Sequence, residues 1–288
     1  MRIEAFFDDA TCSLTYVVSD PKTRDAVILD PVLDFDPQWV NVTESSVERV
    51  VKYVQDQQLN VRFILDTHVH ADHFSGTQAL KARLGGVVGI GRHVAAVQRT
   101  FKEIFNWPEA FATDGRQFDV LLEDGVPLLA GSLTVVPIHT PGHTPACLTY
   151  HIGDALFTGD TMFMPDFGTG RCDFPGGSAE QLYESIQKLY RFPDDTRVFV
   201  GHDYQPGGRE LRYATTIGEA KRHNKQLRAD TTKAEFVAWR SARDRTLKPP
   251  KLILQSLQVN ANAGHLPEPE DNGRRYLRMP LGVFGRPL

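Results

Sequence analysis

The feature that most constrains this chain is a run of eight residues, Asp-Thr-His-Val-His-Ala-Asp-His, at positions 66–73. It directly follows an apolar run at 61–65, whose length and composition predict a buried β-strand. A lone histidine in a loop is ordinarily solvated or hydrogen-bonded. Here, however, three imidazoles and two carboxylates lie within eight residues after one strand, and this clustering predicts a metal site.

Length and composition narrow the class of protein. With 288 residues and 41% hydrophobic content, the chain can close a sizeable core as one large domain or two modest ones. The formal net charge is -4 and there is no long run of like charges, so nothing favours nucleic acid or anionic lipid as a partner. No apolar run reaches the roughly 18 residues of a membrane helix. We therefore expect a small-molecule partner.

The first residues and the cysteines predict a cytoplasmic protein. Residues 1–9 carry acids where an export or organelle signal has bases and a long apolar segment. Cys12, Cys147 and Cys172 are widely spaced and odd in number, which predicts no disulfide framework.

Strand and helix patterns alternate along the first 200 residues. Residues 12–40 predict short antiparallel strands joined by tight turns. Ser45 and Glu48 have capping-box spacing and begin a helix predicted to end near residue 58. Further helices are predicted at residues 78–84, after a strand at 87–90, and from the capping pair Ser178 and Gln181. No linker separates a second domain, so we predict a single domain over 1–288, with about 214–288 as a C-terminal extension packed on it.

Three more ligand-type side chains follow apolar strands. His143 ends a Thr-Pro-Gly-His sequence, Asp160 follows Gly159, and His202 follows Gly201. Each alone is compatible with a turn, but strand ends are where a scaffold brings distant residues to one rim. Imidazoles and carboxylates without a thiolate favour a catalytic Zn, Fe or Mn centre over a closed structural zinc site.

These motifs resemble those of the metallo-β-lactamase superfamily in residue type and order. They are His-Val-His-Ala-Asp-His at 68–73, Thr-Pro-Gly-His at 140–143, Gly-Asp at 159–160 and Gly-His at 201–202. The resemblance implies an α/β (α+β) fold, a four-layer αββα sandwich with metals at one edge. It leaves the reaction open, because this fold hosts both hydrolysis and oxidation.

A further segment resembles the persulfide dioxygenases, the ethylmalonic-encephalopathy-type proteins. Residues 166–174, Asp-Phe-Gly-Thr-Gly-Arg-Cys-Asp-Phe, are similar to the Gly-x-x-Arg-x-Asp segment of that family, and especially of its bacterial β-lactamase-like hydrolase branch. The resemblance implies one Fe(II) per chain bound by His68, His143 and Asp160. It also implies oxidation of glutathione persulfide by O₂ to sulfite and glutathione, in sulfide detoxification. A homodimer is compatible with the same family.

Residue counting alone leaves a second hypothesis open, a binuclear zinc hydrolase such as a glyoxalase II-like hydroxyacylglutathione thioesterase. The groups that could hold two zinc ions are His68, His70, Asp72, His73, His143, Asp160 and His202. In the dioxygenase hypothesis His70, Asp72, His73 and His202 instead orient the ligands and hold water. We favour the dioxygenase because residues 166–174 lie outside the metal motifs. A non-catalytic metal or sulfur-carrier protein is the third hypothesis.

Basic residues outside the metal motifs are candidates for substrate contact. We expect Arg171 to pair with Asp173 and brace its loop; the alternative is a forked bond to a substrate carboxylate. We expect Cys172 to be a small loop residue, because only Arg171 would lower its pKa toward that of a reactive thiolate. A later basic run is predicted to be a solvated helix face, or alternatively to bind glutathione carboxylates. It comprises Arg209, Arg212, Arg222 and Lys225.

Overall fold

The structure is a computed structural model, and it describes residues 1–283. The strands in that range are β1 (Arg2–Asp8), β2 (Ser13–Ser19), β3 (Asp25–Leu29), β4 (Val32–Asp36), β5 (Asn41–Thr43), β6 (Asn60–Leu65), β7 (Phe74–Ser75), β8 (Val87–Gly91), β9 (Val120–Leu122), β10 (Leu128–Ala130), β11 (Leu133–His139), β12 (Leu148–Ile152), β13 (Ala155–Phe157), β14 (Arg197–Phe199) and β15 (Ala214–Thr216). The helices are α1 (Ser45–Asp56), α2 (Thr77–Leu84), α3 (Val94–Phe105), α4 (Ala179–Leu189), α5 (Ile217–His223), α6 (Lys233–Asp244) and α7 (Ile253–Asn260).

Two six-stranded sheets carry the fold. Their strand orders are β1-β2-β3-β6-β8-β9 and β10-β11-β12-β13-β14-β15, and a small sheet β5-β4-β7 lies beside them. The predicted antiparallel start is confirmed, since β1, β2 and β3 pair antiparallel. Strands β3, β6, β8 and β9 are parallel, so their carboxyl ends lie at one edge.

Side chains alternate between the faces of the first sheet, which places that sheet inside the molecule. On β2, Val17 packs into a cluster with Val50 of α1 and Phe101 of α3. The next residue, Val18, joins the cluster between the sheets, which also includes Leu182 of α4. Both faces of the sheet are therefore covered at β2. The layers follow the order helix, sheet, sheet, helix.

The two predicted helix caps have different outcomes. The Ser178 cap is confirmed, because its hydroxyl accepts a hydrogen bond from the Gln181 N–H at 3.2 Å. The prediction of a capping box at Ser45 is wrong. Ser45 is already the first residue of α1, and Glu44, the residue before it, makes no capping hydrogen bond with its side chain among the described residues. Asp34 of β4 accepts instead from the Ser46 N–H and hydroxyl, both at 2.8 Å. A tertiary contact thus satisfies the free N–H group that a local cap would bind.

The segment after residue 213 is tied to the rest of the fold. Strand β15 is the edge strand of the second sheet, so the predicted C-terminal extension begins inside that sheet. Helix α6 contacts α4, and α7 contacts β7. The three cysteines are free within the described residues. Within residues 1–283, every helix is too short or too polar to cross a bilayer.

Candidate metal centre

Strand ends from both sheets bring the predicted ligands together. His68 follows β6, His143 follows β11, Asp160 follows β13, and His202 follows β14. All four side chains are buried, with Asp160 the most exposed at 8%. Gly142 makes this close packing feasible at His143. Its φ is +143°, and a Cβ there would lie 2.4 Å from the backbone N and Cα of Leu182 in α4.

His68, His143 and Asp160 form one group of ligand atoms. One atom from each lies within 4.8 Å of the others, and His143 Nε2 lies 3.6 Å from Asp160 Oδ2. His68 Nε2 and Asp160 Oδ1 are buried without a hydrogen-bond partner among the described residues. His202 Nε2 is 3.2 Å from Asp160 Oδ1, but the two groups are not oriented for a hydrogen bond. The lone pairs of this group are therefore available to a cation.

Hydrogen bonds on the far side of each ring select the nitrogen that faces the site. His143 Nδ1 donates to the Arg171 carbonyl oxygen at 2.7 Å, which leaves Nε2 free. His68 Nδ1 lies 3.0 Å from the Thr67 hydroxyl, which gives its own hydrogen to Asp30 and so accepts from the ring. Burial lowers the pKa of His68 well below its ordinary value, and the neighbouring His70 lowers it further. His68 is accordingly neutral.

This donor set fits a divalent transition metal. A cation about 2.1 Å from each ligand atom separates neighbouring ligands by about 3 to 4 Å, as between His143 and Asp160. Two imidazoles and one carboxylate, with no thiolate, suit Zn, Fe or Mn and leave further coordination positions free.

Asp30 supports two of the histidines and was not predicted as a site residue. It directly follows β3, and its carboxylate accepts from the Thr67 N–H at 2.6 Å and the Thr67 hydroxyl at 2.9 Å. His70 Nε2 is 2.9 Å from Asp30 Oδ1. Burial alone would lower the pKa of His70, but the Asp30 carboxylate raises it to about 10. Its signal in the sequence is an acid at the end of an apolar strand, but the proline that follows it favours a turn.

His70, Asp72 and His73 form a second group within 4.8 Å of one another. Two of these imidazoles already have partners on one ring nitrogen, since His70 Nε2 faces Asp30 and His73 Nδ1 donates to the Phe74 carbonyl at 2.9 Å. His202 lies between the groups, with Nε2 3.4 Å from Asp72 and Nδ1 donating to the Cys12 carbonyl at 3.2 Å. The seven predicted residues thus converge on one place, where six of them form two groups of three and His202 lies between the groups.

The loop after Asp160 is braced by its own ion pair. Arg171 donates to both carboxylate oxygens of Asp173, at 2.5 and 2.6 Å, and to the Lys248 carbonyl at 2.7 Å. These bonds hold the Arg171 carbonyl where it orients His143. Binding of a substrate carboxylate by Arg171 stays a prediction. Burial raises the pKa of Cys172 above its ordinary range, with Asp244 raising it further, so the thiol stays protonated.

The predicted solvated helix face is wrong for most of the basic run. Arg209 lies outside the helices and is paired with Asp166 and Asp203, because the buried Asp203 carboxylate needs a cation. Arg212 is exposed and also non-helical. Arg222 lies on α5 and pairs with Glu219 on the surface. Lys225 alone of the four lines a cavity that reaches Asp160.

A model of the metallo-beta-lactamase superfamily matches residues 13–202. The chain belongs to this superfamily. The predicted family and αββα fold are thereby confirmed, and members of the superfamily are generally metal-binding enzymes. A crystal structure of ETHE1 from Myxococcus xanthus has 32% identity and a TM-score of 0.73, and the match covers 92% of this chain and 100% of that one.

Three relatives bear on the reaction. The "Beta-lactamase hydrolase-like protein" of Xylella fastidiosa is 51% identical over 98% of this chain, but this chain covers only 65% of that longer protein. "Glyoxylase B2" of Dictyostelium discoideum is 44% identical over 98% of each chain. The human mitochondrial "Persulfide dioxygenase ETHE1" is 29% identical over 70% of this chain and 68% of its own length. The resemblance to both the bacterial branch and the persulfide dioxygenases is confirmed.

Proposed function

We propose that this chain is a persulfide dioxygenase with one Fe(II), held by His68, His143 and Asp160. It oxidises glutathione persulfide with O₂ and water to glutathione, sulfite and protons. The observation that carries the proposal is the convergence of two imidazole nitrogens and one carboxylate, with unpartnered buried atoms facing one point. Fe(II) bound there would supply O₂ activation and a position for the persulfide sulfur. The similarity to ETHE1 in sequence and structure supports the same reaction.

Two cavities give the substrate access to this centre. One, of 290 Å³, includes His143, and the other, of 360 Å³, includes Asp160; Arg171 lines both. Lys225 and Arg243 line the second cavity, and neither has a carboxylate partner among the described residues. Two unpaired cations beside an aromatic wall suit an anionic thiol such as glutathione, which carries two carboxylates. The aromatic residues are Phe163, Phe167, Tyr204 and Trp239.

The double variant Lys225→Ala, Arg243→Ala is expected to raise KM for glutathione persulfide about 10- to 100-fold. This is the loss of binding expected when one or two hydrogen bonds to charged groups are removed. The turnover number should stay close to wild type, because these side chains are remote from the reacting sulfur. Steady-state O₂ uptake measures both constants. Arg222→Ala is the control, since Arg222 is an exposed cation in ion pairs with Glu219 and Asp194. An equal rise in KM in the control would remove this substrate assignment.

The reaction itself is tested on purified protein reconstituted anaerobically with Fe(II). O₂ consumption on addition of glutathione persulfide, with sulfite formed in equal amount, is the expected result. The same preparation loaded with Zn(II) should consume no O₂, because zinc has no redox chemistry. Hydrolysis of S-lactoylglutathione without O₂ uptake by the iron form would overturn the proposal.

The second candidate is a binuclear zinc thioesterase. It is favoured by the separate group of His70, Asp72 and His73, which could hold a second cation, and by the similarity to the protein named Glyoxylase B2. We rank it second because residues 166–174, which lie outside the metal motifs, resemble the persulfide dioxygenases, and because the crystal structure of ETHE1 matches 92% of this chain.

Two finer assignments belong to the same proposal. We place the protein in the cytoplasm, which the three free cysteines support. We also treat residues 1–288 as one domain. Support comes from α7, whose Asn260 bonds directly to the backbone of residues 66–75, which we call the histidine loop.

A further inference from the structure

Helix α7 reaches the metal centre through one side chain. Asn260 Nδ2 donates to the carbonyl oxygens of His70, at 2.8 Å, and His73, at 2.7 Å. Asn260 Oδ1 accepts from the Ser75 N–H at 2.7 Å. The side chain is 1% exposed, so these are protein bonds shielded from water. Three backbone groups of the histidine loop thus bind one residue that lies outside the matched range 13–202.

The opposite side of the loop is fixed by other contacts. The Thr67 N–H bonds to Asp30 at 2.6 Å, and the Thr67 carbonyl accepts from the Leu148 N–H at 2.8 Å. These bonds hold the backbone just before His68. Asn260 holds the backbone after it, so the turn that carries His70 and His73 is anchored at both ends.

The other half of the centre has a similar contact from the C-terminal segment. Asp244, in the last turn of α6, accepts from the Cys172 N–H at 2.8 Å. The preceding residue, Arg171, has the carbonyl that fixes the His143 ring. Asp244 is itself paired with the buried Arg240. Helices α6 and α7 therefore each bond to the backbone of a loop that carries metal-site residues.

We propose that Asn260 is a positioning residue of the metal centre. It fixes the backbone of residues 70–75, and thereby holds the loop in the conformation that directs His68 at the metal site and keeps His70 and His73 beside it. A carboxamide on a short side chain is required, because the site needs two N–H donors and one acceptor at once. Aspartate would place oxygen against two carbonyl oxygens, and alanine would leave all three backbone groups unpaired. The inference rests on the metal site and is independent of the reaction catalysed there.

The test compares Asn260→Ala with Gln258→Ala. Gln258 is two residues away on α7, is also buried, and likewise bonds three backbone groups, but these belong to Leu254 and Arg278. Affinities for Zn(II) and Fe(II) are measured by chelator competition, without substrate, well below the unfolding temperature. We expect Asn260→Ala to bind each metal about 10- to 100-fold more weakly, as for other residues that orient metal ligands. Gln258→Ala should stay near wild type.

Unfolding by urea separates positioning from general stability. Both variants are expected to lose stability, because each removes three hydrogen bonds between a buried side chain and the backbone. If Asn260→Ala does not fold, Asn260→Ser, which retains one donor and one acceptor, should still bind metal about tenfold more weakly. Equal metal affinities in the Asn260 and Gln258 variants would overturn the inference. A dioxygenase assay that fails while this affinity difference holds would count against the proposed function alone.

Discussion

His143→Ala is expected to lose iron and activity together, whereas His202→Ala keeps most of its iron. His143 presents a free Nε2 beside Asp160, with its other nitrogen fixed on the Arg171 carbonyl. His202 Nε2 lies instead 3.4 Å from Asp72 and 3.2 Å from Asp160, between the two carboxylates and outside the group formed by His68, His143 and Asp160. Removing a ligand should weaken iron binding by more than the roughly 100-fold upper range seen for residues that only orient ligands.

Iron per chain after reconstitution and desalting gives the result, with O₂ uptake measured on the same samples. His139→Ala is the matched control, because His139 lies four residues before His143 at the end of β11 and bonds the Pro145 carbonyl instead of facing the centre. It should keep both iron and activity. Equal loss of iron in His143→Ala and His202→Ala would indicate a shared or binuclear centre, in favour of the zinc hydrolase.

The ligands could be predicted from sequence because their signal is local. Each of His68, His143, Asp160 and His202 lies three or four residues after the end of an apolar strand, and parallel or paired strands bring such ends to one edge. Hydrophobic patterns in the sequence are therefore enough to predict that the metal motifs lie at strand ends. The layers, in contrast, were implied by the resemblance to the metallo-β-lactamase superfamily and were not predicted from these patterns.

The supporting contacts could not be predicted because they join distant parts of the chain. Asn260 is 187 residues from His73, and nothing in its local sequence distinguishes it from any helical asparagine. The Ser45 capping box failed for the same reason, since Asp34 provides the acceptor from another element. Asp30 had a local signal, but its partner Thr67 is 37 residues away, and the following proline favoured a turn. Sequence motifs therefore identify the candidate metal ligands, whereas the residues that orient those ligands become visible only in the folded structure.

Asp30→Asn is the second substitution with a large expected effect. The Asp30 carboxylate accepts from three donors, two on Thr67 and one on His70, and only a carboxylate accepts them all. An asparagine would direct an NH₂ group at one of these donors and leave the raised-pKa His70 without its counter-charge. We expect the free energy of unfolding to fall by about 3–5 kcal/mol, as when one partner of a buried ion pair is removed. Metal affinity should fall about 10- to 100-fold.

Asp25→Asn separates the two effects, because Asp25 is a buried acid at the opposite end of the same strand. It accepts from the Ser132 N–H at 2.9 Å and Arg62 Nε at 2.6 Å, which lower its pKa to about 2. A pKa lowered in the folded state adds stability above about pH 4 that is lost as the pH falls toward 2. Asp25→Asn should therefore lose stability at pH 7 and part of its acid sensitivity, with metal affinity unchanged. If it weakened metal binding as much as Asp30→Asn, Asp30 would act through fold stability alone, and the orientation of His68 and His70 would need another source.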